Sequence, residues 1–327
     1  MQYFNGCTYG FMSPRGFTQQ EGWKQSMEKM VQSTSCDTLL LPVGALQDHA
    51  YSTQVDFETP DVMSMDDVRN VCAYARELGL RIIVKAMVNC RDGYWRAYIH
   101  FIDNYVPSEP TWGEWFDSYG RFVCELAKVA QEVNAEMFCV GCEMVGADHR
   151  AEEWRKLVSD VRKHYTGHVT YNCDKYQEDR VTWWDALDSI SASGYYPIDA
   201  LDANFQRIRE VAEKFNRPFL FMESGCPSRK GSEYVPNNWN YGGEQNLQAQ
   251  ADWYQAFTDA LIRHPWVRGC VWWDWNAVRL YPLEKAATND GYCVYGKPAA
   301  EILRAYTTAI EARENARVRW ISEDGNG

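Results

Sequence analysis

Two glutamates stand where a buried strand meets solvent. Glu143 closes the apolar run Phe138-Cys139-Val140-Gly141-Cys142, and Glu223 closes Phe219-Leu220-Phe221-Met222. A charge at the end of a buried strand is poorly solvated unless a partner lies near. One such glutamate reads equally well as a structural ion pair or a helix-cap interaction. Two of them, ending separate strands, match what cleavage of a glycosidic bond requires. One carboxylic acid protonates the leaving oxygen, and one carboxylate faces the anomeric carbon as oxocarbenium-like charge develops. At a separation of about 5–5.5 Å the second carboxylate attacks directly and configuration is retained. Like charges so close also favour keeping one of the pair protonated.

Other strand ends carry residues suited to a sugar. Tyr195 and Tyr196 follow Gly194, and a phenol there can donate a hydrogen bond to a nucleophile. Trp273 and Trp275 flank Asp274, where an indole can floor a pocket by stacking. Asn89 leads into Arg91-Asp92-Gly93-Tyr94-Trp95-Arg96, and Asn172 lies within Tyr171-Asn172-Cys173-Asp174. Any single amide or ring of this kind is commonly packing or loop capping; their coincidence at several strand ends carries the argument. Glu233, Glu244 and Asp274 read as loop, helix-start or supporting groups. The six histidines show no HxH or HExxH spacing, so no metal is expected. Cys139-Val140-Gly141-Cys142 has the CxxC spacing but no second pair, and it lies inside a strand pattern. Glu223-Ser224-Gly225-Cys226 is not a serine-hydrolase elbow. No phosphate-binding glycine turn occurs, and no cofactor is expected.

The elements that must hold these residues alternate. Strand-like runs are read at 3–9, 38–43, 81–88, 136–141, 168–172, 189–195, 218–222 and 267–273. Each is followed by a helical stretch: 20–32, 64–78, 113–133, 151–164, a short piece at 182–187, 203–215, 244–263 and 297–313. Val68, Val71, Cys72 and Ala75 form one apolar stripe, with Gly79 as its stop; Asn216, with Pro218 beyond it, stops the sixth helix. Runs such as Leu39-Leu40-Leu41 are apolar on both alternating faces, as parallel strands covered on both sides must be. Eight such units without a composition break predict a single (β/α)8 barrel over residues 1–319 with a polar tail at 320–327. An open doubly wound sheet is the alternative. In the barrel, chemistry sits at the C-terminal strand ends, which is where both glutamates fall.

Composition narrows the partners. The 327 residues carry a net charge of −12, which disfavours nucleic acid. No apolar run reaches the roughly 18 residues of a membrane helix. Aromatic residues reach 14%, read either as a large aromatic core or as surfaces for stacking on sugar rings. Eleven scattered cysteines and no leader-like N-terminus are consistent with a cytoplasmic protein.

The chain resembles the clan of retaining (β/α)8 glycosidases and, within it, glycoside hydrolase family 113, the β-mannanase family. The resemblance runs from about Gly6 to Trp275. It is carried by residues 75–85, by Asp92-Gly93-Tyr94-Trp95-Arg96 and by Phe138 to Met144. Trp184-Asp185-Ala186-Leu187-Asp188 and Phe221-Met222-Glu223-Ser224-Gly225 complete it. It implies Glu143 as general acid/base and Glu223 as nucleophile, with Asn89, Trp95, Tyr195 or Tyr196, and Trp273 near the sugar in subsite −1. The substrate it implies is a β-linked oligosaccharide or polysaccharide, mannan or manno-oligosaccharides foremost. Two positions depart from the pattern: Cys142 stands where most of the clan carries Asn, and Lys85-Ala86-Met87 replaces the family's Lys-Pro-His. Another β-linked sugar (xylo-, gluco- or galacto-configured) and a non-catalytic carbohydrate-binding barrel are the alternatives. Lys85 as a Schiff-base lysine is a further one, set against its reading as an ion-pair partner.

Overall fold

The computed structural model describes residues 1–240 and 242–324, with side chains through Arg317. Eight parallel strands close into one barrel in sequence order. They are β1 (Phe4–Tyr9), β2 (Thr38–Gln47), β3 (Arg81–Cys90), β4 (Met137–Cys142), β5 (His168–Cys173), β6 (Ile190–Ser193), β7 (Phe219–Ser224) and β8 (Val267–Trp275). The helices are α1 (Trp23–Thr34), α2 (Met65–Glu77), α3 (Trp112–Glu132), α4 (Ala151–Val161), α5 (Leu201–Phe215), α6 (Leu247–Arg263) and α7 (Pro298–Asp324).

The double-sided burial read from the sequence has a direct structural cause. Leu40, Ile83, Met137, Cys139, Leu220 and Val271 form a small cluster filling the barrel. Their neighbours Leu39, Leu41, Ile82, Val84 and Phe219 point outward into a much larger core shared with the helices. That outer layer absorbs most of the aromatic excess: Trp115, Trp154, Trp183, Trp184, Trp253, Trp272 and Trp275 are fully buried. Trp154 and Trp183 stack at 5.0 Å and 9°. Helix ends follow local chemistry. Ser64 and Asp67 form a reciprocal capping box at α2. Asn216 ends α5 in the left-handed conformation at φ 50°.

Between β5 and β6 the short helical piece expected at 182–187 is a single 3-10 turn, Trp184–Ala186, with no α-helix among the described residues there. Two fully buried indoles, Trp183 and Trp184, fill the space there instead. The C-terminal helix is longer than expected: α7 continues to Asp324, so residues 320–324 are helix, and 325–327 lie outside the described residues. No helix among the described residues is long and apolar enough to cross a membrane.

The strands that present the two glutamates are irregular in register. Between β4 and β5 the pairing passes from Cys139↔Thr170 to Cys142↔Asn172, three residues against two. Between β6 and β7 it passes from Ala192↔Phe221 to Ser193↔Glu223, one residue against two. Each is a bulge, and a bulge re-aims the side chains beyond it. In β7 it leaves Glu223 on the inner side directly after the inward-facing Met222. Glu143 leaves its strand at φ 53°, a left-handed conformation uncommon for a non-glycine residue. Its side chain therefore turns over the barrel mouth rather than continuing the alternation of β4.

Candidate active site

Glu223 is 4% exposed at the end of β7. Its Oε1 pairs with Lys85 Nζ and accepts a hydrogen bond from Cys142 Sγ at 3.3 Å. Its Oε2 accepts from Tyr195 Oη at 3.0 Å. Burial alone would push this carboxyl up, but the Lys85 charge and hydrogen bond, with Arg96 and Cys142 behind them, hold it below the usual carboxylate range. Burial also raises the Cys142 thiol and the Tyr195 phenol well above their ordinary values, so both remain protonated donors. The arrangement keeps Glu223 ionised and fixes both oxygens.

Glu143 is 7% exposed at the end of β4. Ser193 Oγ donates to its Oε1 at 2.7 Å. Arg96 Nη1 at 2.8 Å and Trp95 Nε1 at 3.2 Å donate to its Oε2. Its backbone N–H donates to Asn172 O at 2.7 Å, pinning the left-handed turn. One network joins the two carboxylates. Asn172 Nδ2 donates to Ser193 Oγ at 3.0 Å, and Lys85 Nζ reaches Asn172 Oδ1 at 3.5 Å. Cys142 adds a second link, since it precedes Glu143 in the chain and its thiol lies on Glu223. Both carboxylates therefore open on the same mouth.

The structure gathers Glu143, Glu223, Trp95, Asn172, Tyr195 and Trp273 around this mouth. Trp273 is nearly buried beside Phe11 (ring centroids 4.8 Å) and faces Lys85 Nζ at 5.9 Å. Its Nε1 is buried and finds no acceptor among the described residues. Asn89 sits one step back: its Oδ1 accepts from Arg96 Nη2 at 3.0 Å. Two sequence candidates are corrected. Tyr196 lies in the helix layer, its phenol bonded to Glu178 and its ring against Tyr176 at 5.2 Å. Trp275 also faces outward, donating to Ser26 Oγ on α1 at 3.1 Å. The cause is a register slip: β1 advances from Cys7 to Tyr9 while β8 advances from Trp272 to Trp275.

Arg96 and Ser193 contact Glu143 without having been singled out by the sequence. Asp174 is nearby, and burial with the Glu143 charge raises it to about 7. Among the described residues no group of three or more His, Cys, Asp or Glu side chains is placed to hold a metal. Cys139 and Cys142 are separate free thiols.

Lys85 is wholly buried and is the ion-pair partner of Glu223. Burial lowers the pKa of a lysine, yet the Glu223 carboxylate paired with it outweighs burial and leaves Lys85 above its ordinary value. Lys85→Met strands the Glu223 charge, and removing one partner of a buried pair costs about 3–5 kcal/mol. Urea melts of the two proteins near neutral pH measure that gap. Glu223 is depressed, so its contribution is present above the unfolded carboxylate pKa and is lost as pH falls through the folded one. Lys85 is raised, so its contribution is complete below the unfolded lysine pKa and is lost as pH rises through the folded one. The stability gap is widest between these limits and narrows at both ends; a gap independent of pH contradicts the pairing.

A closed parallel barrel with one buried carboxylate ending β4 and another ending β7 defines the class of (β/α)8-barrel glycoside hydrolases. The family model described as Glycoside Hydrolase Family 113 matches residues 7–297, and the chain belongs to that family. Among solved structures, a complex of a family 113 β-1,4-mannanase is 46% identical with a TM-score of 0.92, covering 94% of this chain and 99% of that one. The family 113 β-mannanase of Alicyclobacillus acidocaldarius is 38% identical with a TM-score of 0.90, covering 95% and 98%. A β-glucuronidase from Ruminococcus gnavus, at 11% identity and a TM-score of 0.59, shares the fold alone. No curated protein matches the chain.

Proposed function

We propose that this glycoside hydrolase is a retaining β-1,4-mannanase acting on mannan or manno-oligosaccharides by double displacement. Glu223 attacks the anomeric carbon as Glu143 gives its proton to the departing glycosidic oxygen. The C–O bond to the aglycone breaks and a covalent glycosyl–Glu223 ester forms. Glu143, now ionised, takes a proton from water, whose oxygen attacks the same carbon, releases Glu223 and restores the acid. The observation that carries this reading is the arrangement of the two carboxylates at one mouth. Lys85, Tyr195 and Cys142 hold Glu223 as an oriented anion, and Glu143 is held across the mouth by Arg96, Ser193 and Trp95.

The mannan assignment is supported by the family and by the β-1,4-mannanase titles of relatives that align over almost their whole length. Cys142 turns its thiol onto Glu223, so it is not free to act as the amide that most of the clan offers to the sugar 2-hydroxyl. The free thiols support a reducing, cytoplasmic setting, which cell fractionation checks.

The test is a proton NMR time course on mannopentaose, with xylo- and cello-oligosaccharides in parallel. Newly formed reducing ends appear first as the β anomer and then mutarotate. First appearance of the α anomer refutes retention, and faster cleavage of a xylo- or cello-oligosaccharide refutes the mannan assignment.

A further inference from the structure

The turn that presents Glu143 is braced from outside the mouth. Glu143 is left-handed at φ 53°, and such a backbone persists only where its surroundings over-determine it. Two successive N–H groups of the turn are taken up by β5. Glu143 N donates to Asn172 O at 2.7 Å, and Met144 N donates to Tyr171 Oη at 2.9 Å. The first bond continues the strand pairing. In the second a side chain stands in for backbone: the Tyr171 ring lies in the outer core, and its hydroxyl reaches back to the turn.

That hydroxyl is itself held. Tyr171 Oη donates to Asp148 Oδ1 at 2.5 Å, and Asp148 directly follows the 3-10 turn Val145–Ala147. Trp183 Nε1 donates to Asp148 O at 3.0 Å, and Trp154 Nε1 to Ala147 O at 2.9 Å. The same two indoles pack against the Tyr171 ring, with centroids 4.9 and 5.1 Å away. Gly141 admits that ring: a Cβ there would lie 3.2 Å from Tyr171 Cε2 and 3.0 Å from Trp154 Cη2. Burial raises the Tyr171 phenol well above its ordinary value, so it stays a donor. Burial likewise raises the Asp148 carboxyl to about 7, against the pull of the Tyr171 hydrogen bond. Asp148 is buried, and its Oδ2 finds no hydrogen-bond partner among the described residues. A carboxyl left half-satisfied in the interior is costly. The hydrogen bond it does make leads, through one hydroxyl, to the backbone beside Glu143.

A hydroxyl whose proton is committed to Asp148 offers its lone pairs in a fixed direction, and so fixes the Met144 amide. Moving that amide rotates the peptide after Glu143 and carries the carboxyl with it. A misplacement of about 1 Å can cost about 10²-fold in rate. We infer that Tyr171 and Asp148 form a positioning pair for the general acid/base: Asp148 aims the Tyr171 hydroxyl, and the hydroxyl holds the Met144 amide so that the Glu143 carboxyl meets the glycosidic oxygen. Both act through the backbone, whereas Arg96, Ser193 and Trp95 hold the carboxyl itself. This rests on the glycosidase reading above and adds to it the groups that set the acid/base turn.

The experiment compares kcat/KM on mannopentaose with kcat/KM on a 2,4-dinitrophenyl β-mannobioside for Tyr171→Phe, Asp148→Ala, Asp148→Asn and Glu143→Ala. The first substrate needs a proton on its leaving oxygen; dinitrophenolate leaves without one. Both rates are measured on one sample, so their ratio does not depend on how much of a variant is folded. Tyr171→Phe and Asp148→Ala lose about 10–100-fold on mannopentaose and stay within about threefold on the aryl glycoside. Asp148→Asn keeps an acceptor for Tyr171 Oη and recovers most of the mannopentaose rate that Asp148→Ala loses. Equal losses on both substrates, no loss on mannopentaose, or Asp148→Asn as poor as Asp148→Ala overturns the positioning pair. The proposed function survives that result if Glu143→Ala still separates the two substrates. A Glu143→Ala that does not separate them overturns the acid/base reading, and the pair with it.

Discussion

Glu223→Ala lowers turnover of manno-oligosaccharides by a factor on the order of 10⁵, because the covalent step loses its nucleophile. Azide then restores cleavage of a 2,4-dinitrophenyl β-mannobioside and yields the α-glycosyl azide. The anion enters the space left by the carboxylate and attacks the face that Glu223 would have attacked, without a second displacement. Lys85 makes this rescue favourable: with Glu223 gone its ammonium faces an empty, buried cavity, with Asn172 Oδ1 as its remaining hydrogen-bond partner. An incoming azide or formate supplies the missing counter-charge. The same vacancy destabilises the variant, since an uncompensated buried cation costs about 3–5 kcal/mol. The assay is therefore run well below the melting temperature of the variant. Near-normal turnover, or a β-configured azide, would remove Glu223 from the nucleophile's role.

How far the site was legible in the sequence depended on local regularity. Apolar runs without a polar face announced parallel strands sheltered on both sides, and the positions of Glu143 and Glu223 at strand ends located the mouth. The orientation of individual side chains was not legible. Strict alternation from Leu220 and Met222 places Glu223 among the helices; only the extra residue in β7 brings it inside. Tyr195 and Tyr196 are adjacent and face opposite ways, so nothing in the sequence chose between them. Trp273 and Trp275 have the same parity and still diverge, because β8 gains a residue against β1. Arg96 stood in a segment that carried the resemblance, but nothing in the sequence marked it as a partner of Glu143. It comes from an irregular loop and reaches Glu143 only because that loop folds back between its neighbours, with Arg96 Nε donating to Val88 O at 3.2 Å.

Glu143→Ala separates the two halves of the reaction. On manno-oligosaccharides kcat/KM falls by about 10²–10⁴, the usual contribution of a positioned acid, because the leaving sugar alkoxide needs a proton. A 2,4-dinitrophenolate leaves without one, so with that substrate the glycosyl–Glu223 ester still forms quickly. Its hydrolysis lacks the base that activates water and becomes rate-limiting. The expected signature is a burst of dinitrophenolate equal to the enzyme concentration, a slow steady state and a lowered KM. Azide accelerates the steady state and gives the β-glycosyl azide, opposite in configuration to the product from Glu223→Ala, since it arrives after one inversion instead of replacing it. Arg96 adds a consequence specific to this chain. Its guanidinium is almost entirely buried and donates to Glu143 Oε2, so the alanine variant presents an unpaired cation beside the ester. Small anions are drawn there, and azide saturates at lower concentration than in a double variant that also carries Arg96→Met. A variant with the same losses on dinitrophenyl and oligosaccharide substrates, and no burst, would show that Glu143 supports the fold of the mouth rather than the transfer of the proton.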